Sequence, residues 1–487
     1  MQSKRDQVQA HMFVMGRLNS GMLLAEPDAP ESPLSRTTRG LVYGLVITVL
    51  IGAGSFLYGV ISPGGNDTWR AEGTLVVNRD TGSRYLYLDG RLRPVDTYAS
   101  ALLLAGADLT TVDVGTASLS DTPLGAPLGI PGAPDQVPAA DALAGGAWQV
   151  CSVPVTGAGA DAAAATVLAV GAVADGSDPL GADEGLLLAG PDGTLHLMWH
   201  GSRLRLDPDS GAPEALGYGT ATPRPVSRAF LDALAAGPDL AAPEVPGRGT
   251  DGPDLGGAPT RVGQVFEVQV PGGDAGWYLL GEDGLTPLTD TTAALVLGDP
   301  RTRTTAYEGQ APAVRTLGSD VLKEHLAPAG ALDSGAAAAV PAAPPRLVPV
   351  PEGGAACTAL EPGPDGTRLS GVLVAAEALT PLVAPGDPDR EAACLPVDGV
   401  VVPPAGGDLV RALGAGGGAL GDTTYLVTEE GTKYRVSDDE ALAALGYTAS
   451  DMAALPSTLL SMLPTGPDLG TEAASTGTAR VTAPDCG

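Results

Sequence analysis

The chain has 487 residues, with 57 acidic and 27 basic side chains and a formal net charge of −30. A surface this acidic repels nucleic acid and anionic lipid headgroups, so no nucleic-acid partner is expected. Gly (68) and Pro (44) are abundant and aromatic residues make up only 4% of the chain, which predicts several domains with many turns and with cores of Leu, Val and Ala.

Residues 5–23 predict an amphipathic helix before any other element. Apolar side chains recur there at spacings of 4, 3, 3 and 4, which suits one helix face. They are Val8, Met12, Met15, Leu18 and Met22. An apolar stripe of this kind packs on a partner protein or on the membrane surface. Because few basic residues flank it, we favour a protein partner.

The segment from Gly40 to Ile61 holds 22 residues without a charge. A helix of that length spans roughly 33 Å, enough to cross the hydrocarbon core of a bilayer. A buried core helix is less expected for so long an uncharged run. A cleaved signal peptide is also disfavoured, because 39 residues precede the segment and no small-x-small site follows it.

Basic residues near the ends of this segment predict its orientation. Arg36 and Arg39 lie just before it, whereas Arg70 is the first basic residue after it. By the positive-inside rule the N-terminus stays in the cytoplasm and everything after Ile61 lies outside the cell (inner) membrane. The chain is therefore predicted to be a single-pass membrane protein with a large exported part.

All four cysteines fall in this exported part: Cys151, Cys357, Cys394 and Cys486. An even number of cysteines in an oxidising compartment predicts disulfides, although four cysteines allow three connectivities. Metal binding is the competing interpretation, and the absence of any C-x-x-C spacing disfavours it. Cys151 and Cys357 each lie at or beside an apolar, strand-like run, so we expect these two to pair. Cys394 and Cys486 then form a possible second bond, or Cys486 stays free.

The exported part shows four copies of one pattern, in which two short strands meet at a turn and lead into a small helix. The turn glycine precedes the glycine that ends the helix by 14 to 16 residues in every copy. These pairs are Gly90 and Gly106, Gly201 and Gly217, Gly284 and Gly298, and Gly431 and Gly446. We call the copies repeats 1 to 4.

The order of repeats and other strand-like runs is nearly a mirror image. We therefore predict an α+β protein in which a single transmembrane helix is followed by an elongated exported domain. Its four strand-turn-helix repeats surround a central β-sheet core with pseudo-two-fold symmetry. The predicted boundaries are 1–39 (cytoplasmic segment with the amphipathic helix), 40–61 (transmembrane helix), 62–135 (repeat 1), 136–190 (central core strands, first half), 191–243 (repeat 2), 244–259 (linker), 260–334 (repeat 3), 335–354 (Pro/Ala linker), 355–420 (central core strands, second half), 421–469 (repeat 4) and 470–487 (flexible tail).

A search of the sequence for catalytic motifs predicts no active site, cofactor or metal. A P-loop needs a Gly-Lys pair and none occurs. Lys433 follows a glycine closely but reads as a solvated strand residue. His196 and His200 would share a strand face, yet a zinc site needs further ligands. The run Asp207–Gly211 lacks the closing Glu of a calcium loop and favours a turn.

One 25-residue stretch occurs twice, as Leu216–Leu240 in repeat 2 and Leu445–Leu469 in repeat 4. Both copies open with Leu-Gly-Tyr and close with Gly-Pro-Asp-Leu. Their apolar residues align at i, i+4 and i+8, which predicts one helical stripe. These are Val226, Phe230 and Leu234 in the first copy, and Leu455, Leu459 and Leu463 in the second. Since so small a unit cannot bury this stripe alone, it is expected to stack on something else.

Five features together resemble a known family. They are "RDQVQAHMFVMGRL" near the N-terminus, the single apolar span, "VVNRDTGSRYLYLDGRLRPVDTYASALLLAG" after it, "PLGAPLGIPGAPD" with the Cys151 and Cys357 pair, and the closing "LLSMLPTGPDL". The chain resembles EccB, component B of the type VII (ESX) secretion system of actinobacteria. The resemblance covers nearly the whole chain, and the tail after Leu469 departs from it.

The resemblance implies a structural, membrane-anchored subunit of the secretion complex. It implies four repeats around a β core held by one disulfide, at the positions of Cys151 and Cys357. Implied partners are other copies of the chain, the other membrane components including the motor ATPase, and the subtilisin-like protease. Some family members are labelled ATPases, so an ATP-hydrolysing component is one alternative. A peptidoglycan-binding module is another, because small exported repeats often bind glycans.

Overall fold

The computed structural model describes residues 3–25, 33–61, 67–154, 164–171, 177–269, 275–328, 339–363, 366–380, 390–414, 419–483 and 486. Two long helices come first, and short helices are interspersed among the strands of the rest of the chain. The helices are α1 (Lys4–Leu24), α2 (Pro33–Ile61), α3 (Tyr98–Ala105), α4 (Ala212–Ala215), α5 (Arg228–Ala233), α6 (Asp290–Gly298), α7 (Pro300–Thr305), α8 (Ser319–His325), α9 (Asp439–Ala444), α10 (Ser457–Leu460) and α11 (Thr471–Thr476).

The strands vary in length, since most are short, as the abundance of Gly and Pro predicts, whereas Gly354–Gly363, Gly366–Ala375 and Ala419–Thr428 have ten residues each. They are β1 (Leu75–Asn78), β2 (Arg84–Leu88), β3 (Arg91–Pro94), β4 (Thr111–Val114), β5 (Trp148–Val153), β6 (Ala165–Val170), β7 (Asp178–Pro179), β8 (Glu184–Ala189), β9 (Leu195–Trp199), β10 (Ser202–Arg205), β11 (Arg224–Pro225), β12 (Ala235–Ala236), β13 (Val265–Gln269), β14 (Gly276–Gly281), β15 (Gly284–Leu288), β16 (Arg315–Gly318), β17 (Arg346–Leu347), β18 (Gly354–Gly363), β19 (Gly366–Ala375), β20 (Gly399–Val401), β21 (Gly407–Leu413), β22 (Ala419–Thr428), β23 (Lys433–Val436) and β24 (Ala453–Pro456).

Two helices precede the large domain that contains the sheets. Helix α1 begins with a capping box, in which the side chains of Ser3 and Asp6 satisfy amides of the first turn. Helix α2 contains Thr37–Tyr58, the one stretch of the described chain that is long and apolar enough to cross a membrane. The predicted start of the span, Gly40, therefore lies inside a helix that begins earlier.

Four sheets share one strand order. In each sheet the first strand pairs antiparallel with the next strand, which forms a hairpin with the strand after it. The first strand also pairs in parallel with a fourth strand, which follows the helix in sequence. The four orders are β3-β2-β1-β4, β10-β9-β8-β11, β15-β14-β13-β16 and β23-β22-β21-β24. In repeat 2 two further short strands extend the sheet, since β12 pairs with β10 and β17 pairs with β8. The sequence pattern predicted the hairpin and helix but not the two flanking strands.

The hairpin turns explain the glycines in the pattern. Asp89 and Gly90 both adopt positive φ, as do His200 and Gly201. Two successive left-handed residues form the type I′ turn that matches the twist of a hairpin, and glycine takes that conformation without steric cost. His200 is therefore a turn residue.

A fifth sheet forms the centre of the domain that follows α2. Its order is β20-β6-β5-β18-β19-β7, so β5 and β18, from the two halves of the chain, lie side by side in the middle. Each half also places a short edge strand beside the other half's hairpin, since β7 pairs with β19 and β20 with β6. The pseudo-two-fold axis itself stays a prediction.

Strand pairing corrects the predicted division between core and repeats. Strands β8 and β21 fall in the segments predicted as core, 136–190 and 355–420, yet each is the first strand of a repeat sheet. An apolar run looks the same in sequence whichever sheet it joins, because only the partner strand distinguishes the two. The predicted linker 244–259 also contains the buried side chains Val245 and Leu255.

Candidate functional site: the shared core of repeats 2 and 4

Two cysteines lie opposite each other at the middle of the central sheet. Cys151 on β5 and Cys357 on β18 are register partners in the antiparallel pair. Their Cα atoms are 4.0 Å apart, their sulfur atoms are 2.07 Å apart, and 206 residues separate them in sequence. Both side chains are fully buried. The bond therefore joins the two halves of the domain that follows α2 and closes a very long loop.

The two copies of the duplicated stretch pack into one core. The largest hydrophobic cluster contains apolar side chains from both copies together with residues of the central strands β5, β6 and β18. All six aligned apolar residues belong to it: Val226, Phe230, Leu234, Leu455, Leu459 and Leu463. The stacking partner that the sequence requires is therefore, in large part, the other copy.

The predicted helical stripe is wrong in its local structure. Leu455 lies on strand β24, and α10 covers only Ser457–Leu460. Val226 likewise precedes α5, which covers Arg228–Ala233. Side chains spaced four residues apart lie on one side of a continuous helix. They also do so on a short helix flanked by extended residues, so the periodicity alone did not distinguish these two structures.

The tyrosine of each copy holds the chain that leads into the central sheet. The Tyr218 hydroxyl donates to the carbonyl of Pro345 at 2.8 Å, ahead of β18, and the Tyr447 hydroxyl donates to that of Pro138 at 2.6 Å, ahead of β5. Both rings are buried. Burial raises the pKa of Tyr218 to about 12 and raises that of Tyr447 as well, so both stay neutral donors.

The Gly-Pro-Asp-Leu run of repeat 2 docks beside the last strand of its own hairpin. The amide of Gly237 donates to the carbonyl of Arg203 at 2.9 Å, and the amide of Leu240 to that of Arg205 at 2.7 Å. The Asp239 carboxylate accepts from the Arg205 Nε and Nη2 atoms at 3.0 and 2.7 Å. The aspartate of the motif therefore pairs with an arginine on the neighbouring strand.

Repeat 4 reproduces this docking. The amide of Gly466 donates to the Lys433 carbonyl at 2.9 Å, and that of Leu469 to the Arg435 carbonyl at 2.7 Å. Asp468 lies 3.5 Å from the Arg435 guanidinium. The duplicated stretch is thus a building element with the same backbone contacts in both places.

Lys433 corrects a prediction, because it is buried rather than solvated. Its exposed fraction is 1%, and its Nζ atom donates to the carbonyl of Leu463 at 2.6 Å. Burial lowers the pKa of Lys433 to about 8. Its ammonium group therefore binds the chain's own backbone and is not presented to a ligand.

Asp408 is a buried carboxylate that the sequence analysis missed. It lies at the start of β21, and its Oδ2 atom accepts from the amide of Gly146 at 2.9 Å and from the Trp148 indole Nε1 at 2.7 Å. Burial raises the pKa of Asp408 to about 6, although these hydrogen bonds oppose the shift. The only signal was one acidic residue in the apolar run "GDLVRAL". Its role here is to fix the entry to β5 against repeat 4.

The residues weighed as metal ligands are not brought together. His196 is half-buried on β9, whereas the His200 ring stacks on Trp199 at 4.0 Å between centroids. The Asp207–Gly211 run is a turn, in which the Ser210 hydroxyl donates to the Asp207 carbonyl. Within the described residues no group of three His, Cys, Asp or Glu side chains is arranged to hold a metal ion.

The C-terminal segment is ordered against repeats 1 and 4, so the flexible tail predicted over 470–487 is wrong for its described residues. Ala474 of α11 is fully buried, and its carbonyl accepts from the Gly129 amide at 2.8 Å. The sulfur atom of Cys486 lies 1.96 Å from that of Cys394. The prediction failed because a segment of small residues that packs on a distant repeat has the same amino-acid composition as a flexible linker.

The apolar stripe of α1 is uncovered. Val8, Met12, Met15, Leu18 and Met22 are each more than half exposed. So large an apolar surface on one helix is typical of an interaction site. It lies on the same side of the membrane helix in sequence as Arg36 and Arg39.

Comparisons with known proteins agree with these features. The family model described as "Type VII secretion system ESX-1, transport TM domain B" (EccB) matches residues 1–483. The chain is 30% identical over 483 residues to the ESX-3 secretion system ATPase EccB3 of Mycolicibacterium smegmatis, covering 96% of this chain and 89% of that one.

Solved structures show the same fold. The chain is similar to one in an intact ESX-5 inner membrane complex, with a TM-score of 0.64 and 25% identity, covering 100% of this chain and 97% of that one. It is also similar to the EccB3 dimer from the ESX-3 core complex, with a TM-score of 0.63 and 27% identity over 82% and 99% of the two chains. The membrane helix, the sheet architecture and these matches together show that the chain belongs to the EccB family of type VII secretion system components.

Proposed function

We propose that the chain is a scaffold subunit of a type VII secretion complex, whose exported repeats assemble with other copies and with further membrane components. The observation that carries this is the combination of one candidate membrane helix with a large domain after it, whose buried Lys433 and Asp408 bind groups of the chain itself. The similar chains come from an ESX-5 inner membrane complex and from an EccB3 dimer. The motor ATPase and the subtilisin-like protease are the proposed partners besides a second copy.

Co-purification tests this role. The full chain, tagged at its C-terminus, is extracted from membranes in mild detergent and the associated proteins are identified. We expect other type VII membrane components together with additional copies of the chain. A chain recovered as a lone monomer, from membranes that secrete normally, would contradict the proposal.

The uncovered stripe of α1 is the proposed contact on the cytoplasmic side. Replacing two of its members, Met12→Glu with Met15→Glu, is expected to remove a cytoplasmic component from the purified complex while the exported partners remain. The matched control is Gln7→Glu, which adds a charge to the same helix outside the stripe. If the double variant, Gln7→Glu and the unaltered chain all recovered the cytoplasmic component equally, the stripe would be excluded as the contact.

The orientation is also a proposal, supported by Arg36 and Arg39 at the N-terminal end of the span. Single reactive cysteines at Ser3→Cys and Leu124→Cys would report it, because both positions are exposed. A membrane-impermeant maleimide is applied to cells whose outer envelope is permeabilised and whose inner membrane is intact. It is expected to label Leu124→Cys and to leave Ser3→Cys unlabelled. The reverse pattern would place the exported domain in the cytoplasm.

An ATP-hydrolysing role is the second candidate, favoured by the name of the M. smegmatis relative. The burial of the Lys433 ammonium group against the Leu463 carbonyl argues against its use as a phosphate ligand. We infer that the chain is not an ATPase. ATP turnover by the purified full chain, abolished by Lys433→Ala or Lys323→Ala in a protein of unchanged melting temperature, would reverse that inference.

A further inference from the structure

Repeat 2 carries a cleft of about 470 Å³ beside its Gly-Pro-Asp-Leu run. The cleft lies between the β9–β10 hairpin, helix α5 and that run. Its volume is within the range of sites that hold a small ligand or a few side chains. Its titratable lining residues are Asp192, His196, Arg203, Arg205, Arg228 and Asp239.

The corresponding place on repeat 4 can be assigned from strand register. Tyr425 pairs with Arg435 across β22 and β23, as His196 pairs with Arg205 across β9 and β10. Asp468 is the aspartate of the motif in repeat 4, as Asp239 is in repeat 2. The two places therefore have the same backbone frame.

On repeat 4 this place is filled by the chain's own C-terminal segment. The Thr482 amide donates to Oδ1 of Asp468 at 3.1 Å, and the Thr482 hydroxyl donates to Oδ2 at 2.6 Å. The Asp468 amide in turn donates to the carbonyl of Arg480 at 2.7 Å. Three hydrogen bonds on one aspartate thus hold a short stretch of polypeptide by its backbone and by one hydroxyl group.

On repeat 2 two of the three equivalent groups are open. Asp239 uses its Oδ2 atom for Arg205, whereas its Oδ1 atom and its amide have no hydrogen-bond partner among the described residues. Asp239 is about half exposed and lines the cleft. Of the three groups that bind the tail on repeat 4, the amide and the Oδ1 atom are therefore unused on repeat 2, whereas the Oδ2 atom already accepts from Arg205.

The charges around the cleft also permit a peptide of either sign. Arg203 and Arg228 both pair with Asp232, and Arg205 pairs with Asp239. With Asp192 on the rim, three guanidinium groups face three carboxylates. The cleft is thus locally balanced in a chain whose net charge is −30, and it does not repel an acidic segment as the rest of the surface does.

We propose that this cleft binds a short segment of a partner protein that carries a threonine or serine, in the way repeat 4 binds its own tail. The hydroxyl and amide of that residue donate to the Asp239 carboxylate, and a carbonyl two residues earlier accepts from the Asp239 amide. The chain's own tail is not the occupant, because it is seated on repeat 4 and tied to Cys394 through Cys486. In a second copy the tail is tied in the same way, so the occupant is a different protein.

A labelled peptide tests the site. The probe has the tail sequence Gly477–Ala483, GTARVTA, and is titrated into the full chain in detergent under non-reducing conditions. We expect saturable binding that Asp239→Asn weakens about tenfold, since the charged acceptor of two hydrogen bonds is lost. The same peptide with Thr482→Val is expected to bind as weakly to the unaltered chain.

Asp254→Asn is the matched control, and it is expected to leave binding of the peptide unchanged because Asp254 is exposed and does not line the cleft. Unchanged disulfides and melting temperature establish that Asp239→Asn is folded, and Arg228→Ala, at an exposed rim position, gives a second variant. No binding at millimolar peptide, or equal binding by Asp239→Asn and the unaltered chain, would overturn the proposal.

A further experiment identifies which protein supplies the segment bound in the cleft. Self-association of the full chain that disappears with Thr482→Val would assign the cleft to the tail of a second copy, and would overturn the assignment to a partner protein. Self-association that is unaffected by Thr482→Val supports it. Neither result depends on the scaffold role, which is tested by co-purification and can fail separately.

Discussion

Repeats 2 and 4 share a backbone frame but not the side chains placed on it. Strand register identifies the equivalent positions. Leu186, Met198 and Arg203 lie side by side on neighbouring strands of repeat 2. The equivalent residues of repeat 4 are Asp408, Val427 and Lys433. The docking of the Gly-Pro-Asp-Leu run is the same in both. The comparison teaches that main-chain pairing and a few buried apolar side chains define the unit, while polar side chains adapt each copy to its neighbours.

The largest expected effect comes from the bond between the halves that hold these two repeats. In the chain-entropy model, replacing Cys151 and Cys357 by alanine lowers the free energy of unfolding by at most about 5 kcal/mol, given the length of the closed loop. Urea unfolding of the full chain in detergent measures it.

The matched comparison is the double replacement of Cys394 and Cys486 by alanine. Its effect is expected to be smaller, because the tail is free to detach locally without unfolding the core. A larger loss from this second pair would show that the tail, rather than the central sheet, holds the halves together.

Equivalent core positions should behave alike. Phe230 and Leu459 are both buried in the shared cluster, so Phe230→Ala is expected to cost about 3–5 kcal/mol and Leu459→Ala about 2–5 kcal/mol. Thermal and urea unfolding of each variant measures the loss. The exposed Leu124→Ala in repeat 1 is the control, with an expected change within about 0.5 kcal/mol. If only one copy proved sensitive, the shared core would depend on that repeat alone.

Asp408 distinguishes repeat 4 by a dependence on pH. Its pKa is raised from 3.8 to about 6 in the folded protein, so the folded state binds this proton more tightly than the unfolded state does. Its contribution to stability is therefore present below pH 4 and is lost as pH rises through about 6, a change of about 3 kcal/mol.

Urea unfolding between pH 4 and pH 7 measures that change. Asp408→Asn keeps a carbonyl acceptor for Trp148 and removes the titration, so its stability should fall less over this range than that of the unaltered chain. Parallel curves for the two proteins would show that Asp408 is charged throughout.

The smallest expected loss of stability concerns the equivalent tyrosines of the two copies, Tyr218 and Tyr447. Tyr218→Phe and Tyr447→Phe each leave a buried proline carbonyl without its donor, at an expected cost of about 1–2 kcal/mol in the free energy of unfolding. Equal losses by urea unfolding would sharpen the equivalence of the two copies. A loss confined to one of them would break it.

Much of the architecture was predictable from local pattern. The N-terminal helix, the apolar span, the glycine-marked hairpins and the small helices each depend on neighbours in sequence. What local pattern missed depends on distant partners: β8 and β21 joined repeat sheets, the apparent helical stripe proved to be short helices with extended ends, and the tail packed on repeat 1. Lys433 was misassigned because its acceptor, the Leu463 carbonyl, lies 30 residues further along the chain.

The sequence by itself determined that the chain has one segment long and apolar enough to span a membrane, an acidic part after it with four similar strand-turn-helix patterns, and a duplicated stretch that must pack on something. These follow from hydrophobicity, charge and glycine conformation, which are properties of short windows. Only the tertiary structure decided that the two copies share a single core, that Asp408 is buried between repeat 4 and the start of β5, and that the tail fills on repeat 4 a place that stands open on repeat 2. Those outcomes depend on which distant surfaces exclude water together, and no window of the sequence contains that information.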